Sequence, residues 1–141
     1  MVIDHIGIVV RSLEDGISRW QELFGYTRAS AIVANTRQRV RVVFLKKEKS
    51  LTIKLLEPSD INSPVFAFAR RGGGLHHICF RCDDLHSQIS TLEKKGARLL
   101  VSPEPGEAFN NSEIAFMLVE NVLNVEVIDT EDKLGWISSS H

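Results

Sequence analysis

The chain is 141 residues long, 43% hydrophobic and 25% charged, which suits one folded domain with an adequate core and argues against disorder. Its formal net charge of −1 argues against general nucleic-acid binding. No apolar run is long enough to span a bilayer and strand-like sequence begins at the second residue, so a cytoplasmic protein with no membrane partner is expected.

From Val2 to Val10 the pattern alternates, so that Ile6, Ile8 and Val10 share one face of a strand and His5, Gly7 and Val9 the other. Ser12 then caps a helix whose apolar stripe is Leu13, Ile17, Trp20 and Phe24 and whose stop is Gly25. A loose segment follows, after which Val40–Leu45 and Leu51–Leu56 read as a hairpin across the charged turn Lys46–Ser50. Around its start Arg37, Arg39 and Arg41 alternate with Gln38, Val40 and Val42. Three guanidinium groups on one strand face are either a solvated surface or a site for a carboxylate or phosphate, such as a CoA thioester or a phosphorylated acid. Pro58 ends the sheet edge, and Ser63 with Pro64 opens a short helix, Val65–Arg70.

Gly72–Gly74 has neither the preceding strand nor the following G-K-[ST] of a phosphate loop, so it reads as a flexible linker. The second half repeats the plan with strand Leu75–Cys82, cap Asp84, helix Leu85–Lys95, stop Gly96, strand Arg98–Val101 and a hairpin of Ile114–Val119 and Asn124–Ile128. Between them Ser102–Ser112, rich in proline, glycine and asparagine, predicts a loop that could serve as a lid. Cys79 and Cys82 have C-x-x-C spacing, but residues three apart on a strand point to opposite faces, which makes them packing residues rather than a redox or zinc pair.

Aligning His5 with His77 sets a shift of 72 residues that also pairs Ile6 with Ile78, Leu13 with Leu85, Ile17 with Ile89, Ser18 with Ser90 and Phe44 with Phe116. The prediction is an α+β fold of two βαβββ units, residues 2–56 and 75–128, joined by 57–74 into a single domain over 1–141. The same shift pairs Lys54 with Glu126, each a polar residue between apolar neighbours on a strand. His5, His77 and Glu126 together form a usual donor set for a divalent transition metal. The plainer alternative is two core histidines beside a Lys54–Glu126 ion pair.

The stretches DHIGIVV, LLEPSD, SPVFAFARRGGGLHHICFRCDDL and NVEVID resemble the vicinal oxygen chelate superfamily, which includes glyoxalases and bleomycin-resistance proteins, and within it most closely the methylmalonyl-CoA epimerases. The resemblance runs from Val2 to about Asp129. It implies that the two units curl into a cup of mixed sheet with a divalent metal inside (zinc, manganese, cobalt, nickel or iron), at positions that fall on His5, Lys54, His77 and Glu126. It also implies a homodimer, which would give the apolar Leu134, Trp136 and Ile137 of the polar tail a surface to cover.

Two positions depart from the family pattern. Lys54 stands where Glu or Gln is usual, and an ammonium has no lone pair to offer; Arg37 stands where the epimerases place a glutamate base. Either His5, His77 and Glu126 remain a 2-His-1-carboxylate triad with Lys54 beside it, or the ammonium of Lys54 takes the place of the metal's charge. The expected function is an isomerase or lyase that stabilises an enolate-like oxyanion of an anionic carbonyl substrate, with Glu126 and Lys54 as catalytic residues. An Fe(II)-dependent dioxygenase and a metal-free ligand-binding or resistance protein of the same fold are the alternatives.

Overall fold

A computed structural model of the protein describes residues 1–137. Strand β1 (Val2–Val9) leads into α1 (Leu13–Phe24), two short strands β2 (Thr27–Arg28) and β3 (Val33–Asn35), and the hairpin of β4 (Val40–Lys46) and β5 (Thr52–Pro58). A short helix α2 (Phe66–Arg70) precedes β6 (Gly74–Arg81), α3 (Leu85–Lys94), β7 (Arg98–Gly106), a 3-10 turn (Glu107–Phe109), β8 (Ser112–Val119) and β9 (Leu123–Ile128). The fold is α+β, as expected, with one mixed sheet ordered β2-β4-β5-β1-β6-β9-β8-β7 and β3 also paired to β4.

The shift read from the sequence is written into the strand registers. At the centre β1 and β6 run antiparallel with Ile6 opposite Ile78. On one side β5 lies parallel to β1 with Ile53 opposite Ile6, and on the other β9 lies parallel to β6 with Val125 opposite Ile78. One strand further out, Phe44 stands opposite Lys54 and Phe116 opposite Glu126.

Each long helix begins at a side-chain cap: Asp15 N donates to Ser12 Oγ at 3.2 Å, and Ser87 N to Asp84 Oδ1 at 2.9 Å. Gly25 stops α1 at φ 74°. Helix α1 covers Ile6, Ile8, Val43, Leu45, Ile53 and Leu55, and α3 covers Ala115, Met117, Val125 and Val127. The other face of the sheet is lined by Val42, Phe44, Leu56, Phe116 and Ile128, with Phe109 closing over it. Alternation along each strand therefore turns His5, Lys54, His77 and Glu126 to this inner face.

Several local expectations are corrected. The segment after α1 is not loose, because β2 and β3 both pair with β4. No lid loop spans Ser102–Ser112: β7 runs on to Gly106 through two register slips. Pro103 and Pro105 have no N–H to pair, which an outermost strand tolerates. Gly72–Gly74 is not a flexible linker either. Gly73, at φ 71°, donates its N–H to Phe68 O at 2.9 Å, and a side chain there would strike the Val9 carbonyl. Helix α2 starts at Phe66, one residue later than expected, with Ser63 Oγ accepting from Val65 N at 3.4 Å.

The two outer ends of the sheet meet. Thr36, just beyond β3, donates from both its N and its Oγ1 to Glu107 Oε1, each at 2.6 Å. The tail then crosses this seam: Leu134 N donates to Ala108 O at 2.9 Å, Ala31 N to Gly135 O at 2.9 Å and Ile137 N to Ala29 O at 2.7 Å. Leu134, Trp136 and Ile137 stay partly exposed on the outside. Among the described residues no helix is long and apolar enough to cross a membrane.

Candidate functional site

His5 on β1, Lys54 on β5, His77 on β6 and Glu126 on β9 converge at the middle of the inner face, all at most 1% exposed. The Nε2 atoms of His5 and His77 are 3.3 Å apart. Glu126 Oε1 lies 3.1 Å from His5 Nε2, 3.2 Å from His77 Nε2 and 3.7 Å from Lys54 Nζ. Phe109 and Phe44 present their rings to Lys54, with Nζ 5.0 and 5.8 Å from the centroids. Gly7 makes room for His77, since a Cβ at Gly7 would sit 2.6 Å from His77 Nε2 and closer still to its Cε1 and Nδ1.

Strict alternation would send Asp4 and His76 to the helix side. Both are instead the unpaired residues of bulges in the β1–β6 ladder, which re-aim their side chains. Asp4 Oδ2 is 2.7 Å from His5 Nδ1, and His76 Nδ1 is 2.8 Å from His77 Nδ1. A carboxylate can only accept, so His5 donates from Nδ1 and in the neutral ring points the lone pair of Nε2 at the cluster. The other Asp4 oxygen takes Arg81 at 2.9 Å and Lys133 at 3.1 Å. Cys79 stands opposite both His5 and Glu126 in the ladders and belongs to the inner face, whereas Cys82 packs beneath α3. The opposite-face reading of the two cysteines therefore describes the structure. Asp4, His76 and Cys79 were missed as members of the site, although the 72-residue shift pairs Asp4 with His76.

Burial works to raise the Glu126 carboxyl, but the positive charge of Lys54 and the contacts to His5 and His77 outweigh it and hold Glu126 well below the usual carboxylate range. Burial also works to raise Asp4, and there His5 and Lys133 win. Burial drives His77 down to about 3, with Glu126 offsetting only part of that, and also lowers His76. The Cys79 thiol is pushed up well above its ordinary value by burial and by Glu126 and Asp4.

His5 Nε2, His77 Nε2 and Glu126 Oε1 form a triangle with sides of 3.1 to 3.3 Å. Those lengths match donor–donor edges of ~3.0–3.4 Å around an ion with bonds of ~2.1 Å. Glu126 Oε1 is buried without a hydrogen bond of acceptable geometry, as an oxygen reserved for a cation would be. The three donors thus suit a metal by geometry. The complete set does not suit a divalent ion by charge, because the fourth position already carries an ammonium and, among the described residues, Glu126 is the one carboxylate paired with it.

The three arginines do not share a strand face. Residues 36–39 form a turn in which Arg39 has φ 55°, so alternation begins only at Val40. Arg41 lies toward α1, held at 3.0 Å by Glu14 and at 3.0 Å by Glu57, and Arg39 is 4.0 Å from Asp60. Arg37 and Arg39 are exposed and flank Gln38, which lines a pocket of about 180 Å³ together with Val40, Leu56, His76, Phe116 and Asn124. The pocket abuts the cluster through His76 and through Phe116, whose ring centroid is 5.4 Å from that of His77.

Residues 4–116 match the family described as the glyoxalase/bleomycin resistance protein/dioxygenase superfamily. The uncharacterized protein YqjC of Bacillus subtilis (strain 168) is 34% identical over 116 residues, 82% of this chain and 81% of its own. The mitochondrial methylmalonyl-CoA epimerase of Dictyostelium discoideum is 27% identical over 133 residues, 93% of this chain and 78% of its own. Among solved structures, a variant of the Streptomyces coelicolor methylmalonyl-CoA epimerase in complex with 2-nitronate-propionyl-CoA aligns with a TM-score of 0.80 at 27% identity, covering 93% of this chain and 98% of that one.

Proposed function

The chain belongs to the glyoxalase/bleomycin resistance protein/dioxygenase superfamily, and from that premise we propose that it is an isomerase of an anionic acyl-CoA thioester, working through an enolate-like oxyanion. The observation that carries this reading is the sealed cluster in which a carboxylate oxygen without a hydrogen bond faces two imidazoles and, at 3.7 Å, an ammonium. The relatives named as epimerases supply the substrate class. The nitronate in the Streptomyces complex is planar and anionic, as an enolate is.

In this reading Glu126, ionised at neutral pH, takes the proton beside the thioester carbonyl while Lys54 receives the oxygen that gains charge. The two steps help one another: as the oxyanion draws Lys54 away, Glu126 loses the partner that keeps its proton affinity low. A pocket of about 180 Å³ is small beside the ~300–1,000 Å³ of sites for larger ligands, so it takes the acyl group. The CoA phosphates stay outside, near Arg37 and Arg39; Arg41, already bound by two carboxylates, has no share in this. Because Arg37 replaces the epimerases' glutamate base, Glu126 acts alone and exchange with solvent outpaces inversion.

The test is NMR of methylmalonyl-CoA and other acyl-CoA thioesters in D2O. Deuterium should enter beside the carbonyl with the wild type and at least ~10²-fold more slowly with Glu126→Gln. Thioesters that bind without any exchange would make the protein a ligand-binding member of the superfamily instead. We further propose that it works as a cytoplasmic homodimer, with the apolar Leu134, Trp136 and Ile137 covered by a second copy. A monomer in sedimentation at micromolar concentration would remove the dimer.

A further inference from the structure

We propose that Lys54 is the resident cation of the buried cluster and that it keeps divalent metal out of a site whose other three positions are built to hold one. The proposal concerns metal occupancy and stands whether or not the chain is an isomerase.

The seat for a cation is defined by the donor triangle of His5, His77 and Glu126. Bulge residues orient both imidazoles from behind, so Nε2 of each is committed to the interior. An ion bonded to Glu126 Oε1 at ~2.1 Å would lie no more than ~6 Å from Lys54 Nζ, because Nζ is itself 3.7 Å from that oxygen. Lys54 cannot retreat to water, being fully buried with Phe109 and Phe44 against its ammonium. Those ring faces favour a single positive charge at that point.

The charge balance points the same way. Glu126 faces Lys54, one charge against one. Asp4, the nearest other carboxylate, is already engaged by Arg81 and Lys133. Among the described residues no negative charge is left over there to balance two more positive charges in a dry interior, where repulsion between cations is weakly screened. An ammonium also supplies no lone pair in return. Replacing Lys54 with a neutral oxygen donor removes the repulsion and completes a set of four donors.

The experiment begins with the metal content of wild type purified without chelator, followed by calorimetric titration of the stripped protein with zinc, manganese, cobalt and, anaerobically, iron(II). The wild type should carry no stoichiometric metal. Lys54→Gln should bind one ion per chain at least ~100-fold more tightly than wild type, with cobalt giving the visible absorption of a bound ion. Lys54→Met, which removes the charge without adding a donor, should fall between them. The wild-type measurements need no variant to fold: a full equivalent of metal in the purified protein, removed by chelator and taken up again on titration, overturns the proposal. So does a folded Lys54→Gln that binds no better than wild type.

Discussion

Asp4 and His76, 72 residues apart, do the same structural work: each is the bulged residue of its strand, and each meets Nδ1 of the histidine that follows it. The two are not equal in strength. Asp4 brings a charge and a network with Arg81 and Lys133, whereas His76 offers a contact between two imidazoles. Asp4→Ala should therefore cost about 3 kcal/mol of stability, because it leaves the partly buried Arg81 and Lys133 and the buried His5 without their carboxylate. His76→Ala should cost about 1 kcal/mol. Urea midpoints at unchanged slope measure both, and equal costs would mean that the Asp4 charge is not felt.

Gly7→Ala places a methyl group against the fully buried imidazole of His77. The overpacking should cost about 2–3 kcal/mol and disturb the cluster although residue 7 carries no chemistry. A crystal structure of the variant should show the His77 ring displaced. An unmoved ring at full stability would contradict the tight contact.

Lys54 and Glu126 can be tested as a pair. Either Lys54→Met or Glu126→Gln alone leaves one buried charge uncompensated and should cost about 3–5 kcal/mol. The double substitution should cost less than the sum by about 2 kcal/mol or more. Additive costs would show that the two charges do not interact.

Stability should fall as the medium becomes acidic, starting near neutrality. His77 is lowered to about 3, so below ~6.5 the unfolded chain takes up a proton that the native one refuses. That contributes a loss of ~1.4 kcal/mol per pH unit, or ~2 kcal/mol between pH 6.5 and 5. The lowered His76 acts in the same direction. Asp4 and Glu126, also lowered, contribute stability that is present above the ordinary carboxylate range and is lost as pH falls through their native values. His86, raised by Glu113, runs the other way but is fully exposed and changes little. Urea denaturation at pH 7.5, 6.5 and 5 reads the slope; a flat profile would mean that His77 takes its proton in the folded state.

What could be read from the sequence was whatever obeys a period. Two-residue alternation placed His5, Lys54, His77 and Glu126 on one face, and the 72-residue shift paired them before any register was known. Each failure has a local cause that breaks a period. The bulges at Asp4 and His76 reverse the side on which those residues lie. The turn at 36–39 interrupts the strand on which the arginines were aligned, and Arg41 found carboxylates on α1 and β5 that no pattern linked to it. Proline and glycine in Ser102–Gly106 suggested a loop, yet an outermost strand has no second neighbour to miss their N–H groups. The glycines at 72–74 suggest freedom in the sequence, whereas Gly73 marks a place where two backbones nearly touch.

The seam beside the cluster carries polar stitches, two hydrogen bonds from Thr36 and three along the tail, over the packed side chains of Ala29, Val33, Ala108 and Phe109. Bonds of this kind contribute only ~1 kcal/mol each once water can replace them, and exposing the side chains beneath adds ~25 cal/mol per Å² of apolar surface, so parting the seam costs more than its hydrogen bonds alone. Opening at the seam is therefore a rare local excursion of the native molecule. Amide hydrogens along the seam would exchange with solvent through that excursion, more slowly than those of exposed turns and faster than those of the central strands.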